Sequence, residues 1–127
     1  MRTILIAASA GLQLLLPADA AWSQAAQDSG SSELVRQCRL AQGDAKTMNN
    51  AKDLSDSAQC MRYIEGFVAG VSTVQATRPF CVPNATRILD EVNSYVAWMD
   101  KNKDTLSQPK HVTLLRALRE SYPCRNN

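Results

Sequence analysis

At 127 residues and a formal charge of +2, the chain has room for one domain with one modest core. Its charges are interspersed and nearly balanced, which argues against nucleic acid or an anionic membrane as partner. One histidine, His111, and no Cys-x-x-Cys pair leave little material for a zinc site or a nucleophile with its base, so no catalytic residue, metal or cofactor is expected. The carboxylate pairs Asp90 with Glu91 and Asp53 with Asp56 read as helix-terminus and solvated surface groups.

Residues 1–20, MRTILIAASAGLQLLLPADA, run from Arg2 through an apolar stretch to the small residues Ala18 and Ala20, the layout of a secretory signal peptide cut after Ala20. The apolar run, roughly 14 residues, is short of the roughly 20 that cross a bilayer, so no stable membrane insertion is expected after cleavage. Ser23 to Ala25 offers a second cut site. Residues 21–32 are small and polar and read as a disordered leader, and residues 33–127 as the helical domain.

All four cysteines, Cys38, Cys60, Cys81 and Cys124, lie in the exported part, and an even number in a small exported domain reads as two disulfides. Three pairings are open. Cys38 with Cys60 and Cys81 with Cys124 is favoured because each pair ties neighbouring helix ends. Closing loops of about 23 and 44 residues contributes on the order of 3 and 4 kcal/mol in the chain-entropy model.

In chain order, Ser31 or Ser32 caps a first helix with Leu34, Val35, Cys38 and Ala41 on one face, ended by Gly43. A polar connection follows. Ser55 or Ser57 opens a second helix that runs to about Thr77, with Cys60, Tyr63, Ile64, Phe67, Val68, Val71 and Val74 as its apolar stripe. Gly66 and Gly70 flank that stripe on the Tyr63 side. Each glycine costs a helix interior about 1 kcal/mol against alanine, so a helix-packing or dimer contact over Tyr63, Gly66 and Gly70 should offset it. Crowding inside the monomer and contact with a second chain stand as equal accounts.

Residues 79–83, PFCVP, form an extended turn. Asn84 or Thr86 caps a third helix with Ile88, Val92, Tyr95, Val96 and Met99 as its stripe; Asn84 and Thr86 also fit a glycosylation sequon. Trp98 falls roughly 110° off the stripe, as a contact residue or a satellite of the core. Residues 101–109, KNKDTLSQP, form a polar loop, and Ser107 with Pro109 opens a last helix carrying Leu114, Leu115, Leu118 and Tyr122 on one face, with His111 beside them as a packed or capping residue. The fold class is all-α, a small disulfide-stapled bundle of four to five helices.

Taken together, Cys60-x-x-Tyr63-x-x-Gly66-x-x-x-Gly70, Phe80-Cys81-x-Pro83 and Tyr122-Pro123-Cys124 resemble the Rap/Tai family of type VI secretion immunity proteins, over roughly residues 34–124. The resemblance implies an all-helical, often dimeric periplasmic protein that binds a peptidoglycan amidase effector and occludes its active site. In such proteins a loop between late helices makes the contact. The matching segment is residues 101–108 with Trp98 beside it: Lys101, Lys103, Asp104 and Gln108 as polar contacts and Leu106 as an apolar tip. Two rival readings are a periplasmic acid-stress chaperone of the HdeA kind and an inhibitor of another cell-wall hydrolase.

Overall fold

The computed structural model describes residues 30–43, 48–74 and 77–125. The expected signal peptide and all but the last three residues of the expected leader lie outside the described residues. Among the described residues there are four α-helices, a 3-10 turn and no strand.

Helix α1 spans Ser31–Gln42. Leu34, Val35, Cys38 and Ala41 follow the three-and-four spacing and are all buried. Gly30 takes the N-cap position, and Ser31 is the first helical residue with its hydroxyl turned into the core. Gly43 closes the helix, its N–H donating to the Leu40 carbonyl at 3.0 Å.

Helix α2 spans Ala51–Val74, starting ahead of the expected Ser55. The cause is Asn50, whose Oδ1 accepts the Asp53 N–H at 2.9 Å and satisfies one of the orphan donors of the first turn. Cys60 and Ile64 are fully buried, while Tyr63, Phe67, Val68 and Val71 lie half-buried along the edge of the core. Asp56, expected at the surface, is buried on the seam with α1, where Arg36 and Lys52 donate to its Oδ2 at 2.6 and 2.7 Å.

Residues 79–83 lie against α2 through the stacked rings of Phe67 and Phe80, 6.5 Å between centroids. Helix α3 spans Ile88–Lys101. Neither Asn84 nor Thr86 caps it, because both lie in a turn closed by the Thr86 N–H to the Pro83 carbonyl at 2.9 Å. The cap falls at Arg87 instead, whose N–H donates to the Asp90 carboxylate at 3.2 Å. Val92, Tyr95, Val96 and Met99 are buried.

A 3-10 turn, Lys103–Thr105, leads to helix α4, Lys110–Ser121. Thr113, Leu114, Ala117 and Leu118 form its buried face. His111 is exposed rather than on that face, because the first turn of α4 packs through Thr113, about 200° further round the helix.

Helix α1 touches all three other helices, and the core lies along its buried face. The structure joins Cys38 to Cys60, tying α1 to α2, and Cys81 to Cys124, tying residues 79–83 to the chain beyond α4. The Cys81 N–H donates to the Tyr122 carbonyl at 2.8 Å beside the second bond.

Candidate functional site

The loop between α3 and α4, residues 101–109, is built from its own capping groups. Asn102 ends α3 with its backbone N–H on the Trp98 carbonyl at 3.1 Å and its side-chain N–H on the same oxygen at 2.8 Å. Thr105 is buried and donates its hydroxyl to the Asn102 carbonyl at 2.7 Å. The loop is thereby folded back on itself before α4 begins.

It is also tied from below. The Ser31 N–H donates to the Gln108 carbonyl at 2.9 Å, and the Ser32 N–H donates to the Leu106 carbonyl at 3.0 Å. These are two of the orphan donors at the start of α1, so the helix terminus and the loop satisfy each other. Gly30 permits the approach. A Cβ there would lie 3.2 Å from each of the carbonyl oxygens of Leu106, Ser107 and Gln108.

Beneath the tie runs a chain of buried hydroxyls. Ser31 Oγ donates to the Gln108 carbonyl at 2.8 Å and shares a hydrogen bond with Thr113 Oγ1 at 2.6 Å. Thr113 Oγ1 in turn shares one with the Tyr95 hydroxyl at 3.2 Å. All three residues are fully buried. Burial pushes the Tyr95 phenol up from its usual range, so it stays protonated and able to donate.

The clamp sorts the residues expected to make contact. Lys101, Lys103, Asp104 and Ser107 are exposed on the outer surface of the loop. Gln108 is half-buried with its carbonyl occupied. Leu106 is no free apolar tip: it is half-buried against the core, held there by the bond from Ser32. Trp98 is buried too, its indole N–H donating to Glu120 Oε2 at 2.8 Å, so it supports the loop's base from inside.

Beside the clamp, a groove of about 410 Å³ opens between α1, α2 and the start of α4. Glu33, Gln37, Gln59, Arg62, Tyr63 and Lys110 line it, with Leu34 at its base. The Lys110 ammonium lies over the Tyr63 ring, 4.9 Å from the centroid, which fixes that ring at the groove's edge. Arg36 hydrogen-bonds Glu33 and holds its carboxyl below the usual carboxylate range.

Gly66 and Gly70, further along α2 from Tyr63, are exposed, and nothing among the described residues lies within 4 Å of a Cβ built on either. Crowding by the described residues therefore does not account for them. Among the described residues no cluster of three or more metal-ligating side chains occurs, and no helix is long and apolar enough to cross a membrane.

Sequence reasoning missed Gly30, Ser31, Tyr95 and Thr113 as the loop's foundation. Gly30 and Ser31 lie in a polar stretch that reads as leader, and the signal that finds them, two consecutive N–H groups meeting two loop carbonyls, exists only once the chain is folded.

A stapled helical scaffold that presents a clamped polar loop next to an open, charged and aromatic groove is the make-up of a protein-binding module. The chain belongs to the family of Rap1a immunity proteins, whose family model matches residues 30–124. Proteins of this family are in general non-enzymatic inhibitors, and membership implies a toxin effector protein as partner. No curated protein and no solved structure gives a significant match. The matched region opens at Gly30, where the clamp on the loop begins.

Proposed function

We propose that this protein acts in the periplasm as the immunity partner of a peptidoglycan amidase delivered by type VI secretion, binding the enzyme and occluding its active site. The reading rests on the family and, in the structure, on the clamp that fixes residues 101–109 between α1 and α4. A loop already held in shape by a stapled scaffold loses little conformational entropy when it enters a cleft, so more of the contact energy appears as affinity. Lys101, Lys103 and Asp104 supply charged groups that can meet the polar rim of such a cleft, and the groove lined by Tyr63, Arg62 and Lys110 extends the surface towards α2. The periplasmic assignment draws on the signal-peptide layout of residues 1–20 and on two disulfides, which persist in oxidising compartments.

We also assign a homodimer contact to the face bearing Tyr63, Gly66 and Gly70, since two exposed helix-interior glycines have no neighbour among the described residues to offset their cost. Sedimentation of wild type and Gly66→Leu tests it: a wild-type dimer that weakens in the variant supports the contact, and a wild-type monomer overturns it.

The functional test is inhibition, by the oxidised mature chain, of any peptidoglycan amidase encoded beside this gene, read as hydrolysis of peptidoglycan fragments. Lys103→Glu and Asp104→Lys should each weaken inhibition at least tenfold with helical circular dichroism unchanged. Full inhibition by both variants would remove the loop assignment, and an amidase unaffected by the wild-type chain would remove the target.

A further inference from the structure

Glu91 lies in the first turn of α3 and is only 7% exposed, and its Oε2 is the one buried side-chain oxygen or nitrogen without a hydrogen-bond partner among the described residues. The sequence places it as a solvated helix-terminus residue; the structure buries it. A stranded polar group costs about 1–3 kcal/mol, and more when charged, so an acid left this way invites a partner from outside the chain.

Glu91 lines two adjoining clefts, about 270 and 360 Å³, between the second half of α2 and the residues leading into α3. Val68 and Thr86 border both. Ile88 adds apolar wall and Glu65 a second acid on one side. Arg78 stands in the far cleft. Arg87, the other nearby cation, is engaged by Asp90. Burial first, then Glu65, then Asp90 push the Glu91 carboxyl up, so the surroundings of the group are short of positive charge.

We propose that this cleft receives one arginine or lysine side chain from a protein partner, namely the toxin effector. The head group pairs with the Glu91 carboxylate, and the methylene stem lies along Val68 and Ile88, the division of labour that long basic side chains adopt at apolar surfaces. Naming the effector rests on the immunity reading; the chemistry of the pocket does not. Glu91 lies ten residues ahead of Lys101 on α3, about 15 Å at about 1.5 Å rise per residue, so the pocket is an anchor separate from the loop.

The probe is N-acetyl-arginine amide, titrated into the oxidised protein and followed by NMR at the Val68 and Ile88 methyls and the Glu91 carboxyl, with N-acetyl-citrulline amide as the neutral isostere. Saturable shifts are expected with the arginine probe at a Kd on the order of 10 mM, the range a single side chain can reach. Citrulline should leave the three signals unmoved, and Glu91→Gln, close in shape, should bind arginine at least tenfold more weakly while Glu65→Gln weakens it less. Equal shifts with citrulline, or none, overturn the pocket. An Arg78→Ala variant whose Glu91 carboxyl signal moves without any probe shows the chain's own arginine in the site and overturns it too. Methyl shifts that depend on protein concentration alone give the pocket to a second copy and overturn the effector as donor. Amidase inhibition is not read here, so a failed titration leaves the loop proposal standing, and the reverse holds.

Discussion

Thr113→Val keeps the shape of a fully buried side chain and deletes one hydroxyl. That hydroxyl lies 2.6 Å from Ser31 Oγ, 3.2 Å from the Tyr95 hydroxyl and 3.1 Å from the Lys110 carbonyl. The loss of one net hydrogen bond costs about 1 kcal/mol, and the stranding of buried groups adds about 1–3 kcal/mol, so the variant should be about 2–4 kcal/mol less stable. At about 4–8 °C per kcal/mol for a domain of this size, the melting temperature should fall by at least about 8 °C. Calorimetry measures the loss, and hydrogen exchange locates it: the Ser31 and Ser32 amides, bonded to Gln108 and Leu106, should lose protection before the middle of α3 does. Tyr95→Phe in the same background removes the stranded phenol, so the double variant should be about 1 kcal/mol more stable than the two single losses added together. A cost under about 0.5 kcal/mol, or strict additivity with Tyr95→Phe, would mean that the hydroxyl chain does not hold the loop.

The two disulfides should differ in worth: Cys38→Ser with Cys60→Ser should cost about 3 kcal/mol and Cys81→Ser with Cys124→Ser about 4 kcal/mol in urea unfolding, following loop length. For pH, Glu91 is raised above its ordinary value of 4.5, so its proton is held longer in the folded form; its contribution to stability is greatest below 4.5 and falls as pH rises through the folded value. Glu91→Gln should therefore melt above wild type at pH 7, with the gap closing below pH 4.5, and an equal gap at both pH values refutes the linkage. Asp56 behaves oppositely: Lys52, then Arg36, hold it below 3.8, so its stabilisation is in place above 3.8 and is lost as pH falls through the folded value, a loss that Asp56→Asn should lack. Gly66→Ala meets open space and should raise the melting temperature of dilute protein, by about 0.5–1 kcal/mol of added stability.

The helical class and most of the core were legible because they depend on spacing alone. Leu34, Val35, Cys38 and Ala41 recur at the period of a helix, and the same holds for Val92, Tyr95, Val96 and Met99. Trp98 escaped this logic because α3 touches α1, α2 and α4, so its covered sector is wider than one stripe, and α4 reaches Trp98 through Glu120. Helix starts were legible only to within a few residues. Asn50 and Arg87 define them through bonds to Asp53 and Asp90, whereas the serines and threonines nearby looked equally fit to cap. Leu106 and Glu91 show the larger gap. One is an apolar residue in a polar loop, and the other an acid in a first helical turn, and both patterns ordinarily mean exposure. Burial came instead from contacts between segments far apart in the chain, the bond from Ser32 in one case and the walls at Val68 and Thr86 in the other. The glycine pattern drew attention to the right positions, while their open surroundings had to be seen in three dimensions.

Gly30 gives the N-terminal side of the domain a sharp editing limit. A peptidase that stops ahead of residue 30 leaves in place every donor that the described residues give the loop. Three residues further the outcome reverses. Losing Gly30, Ser31 and Ser32 takes away both amide donors and the serine hydroxyl that grip Leu106 and Gln108, while every exposed side chain of the loop stays in the sequence. Such a clipped chain would keep both disulfides and the exposed side chains of the loop, yet release the backbone that displays them.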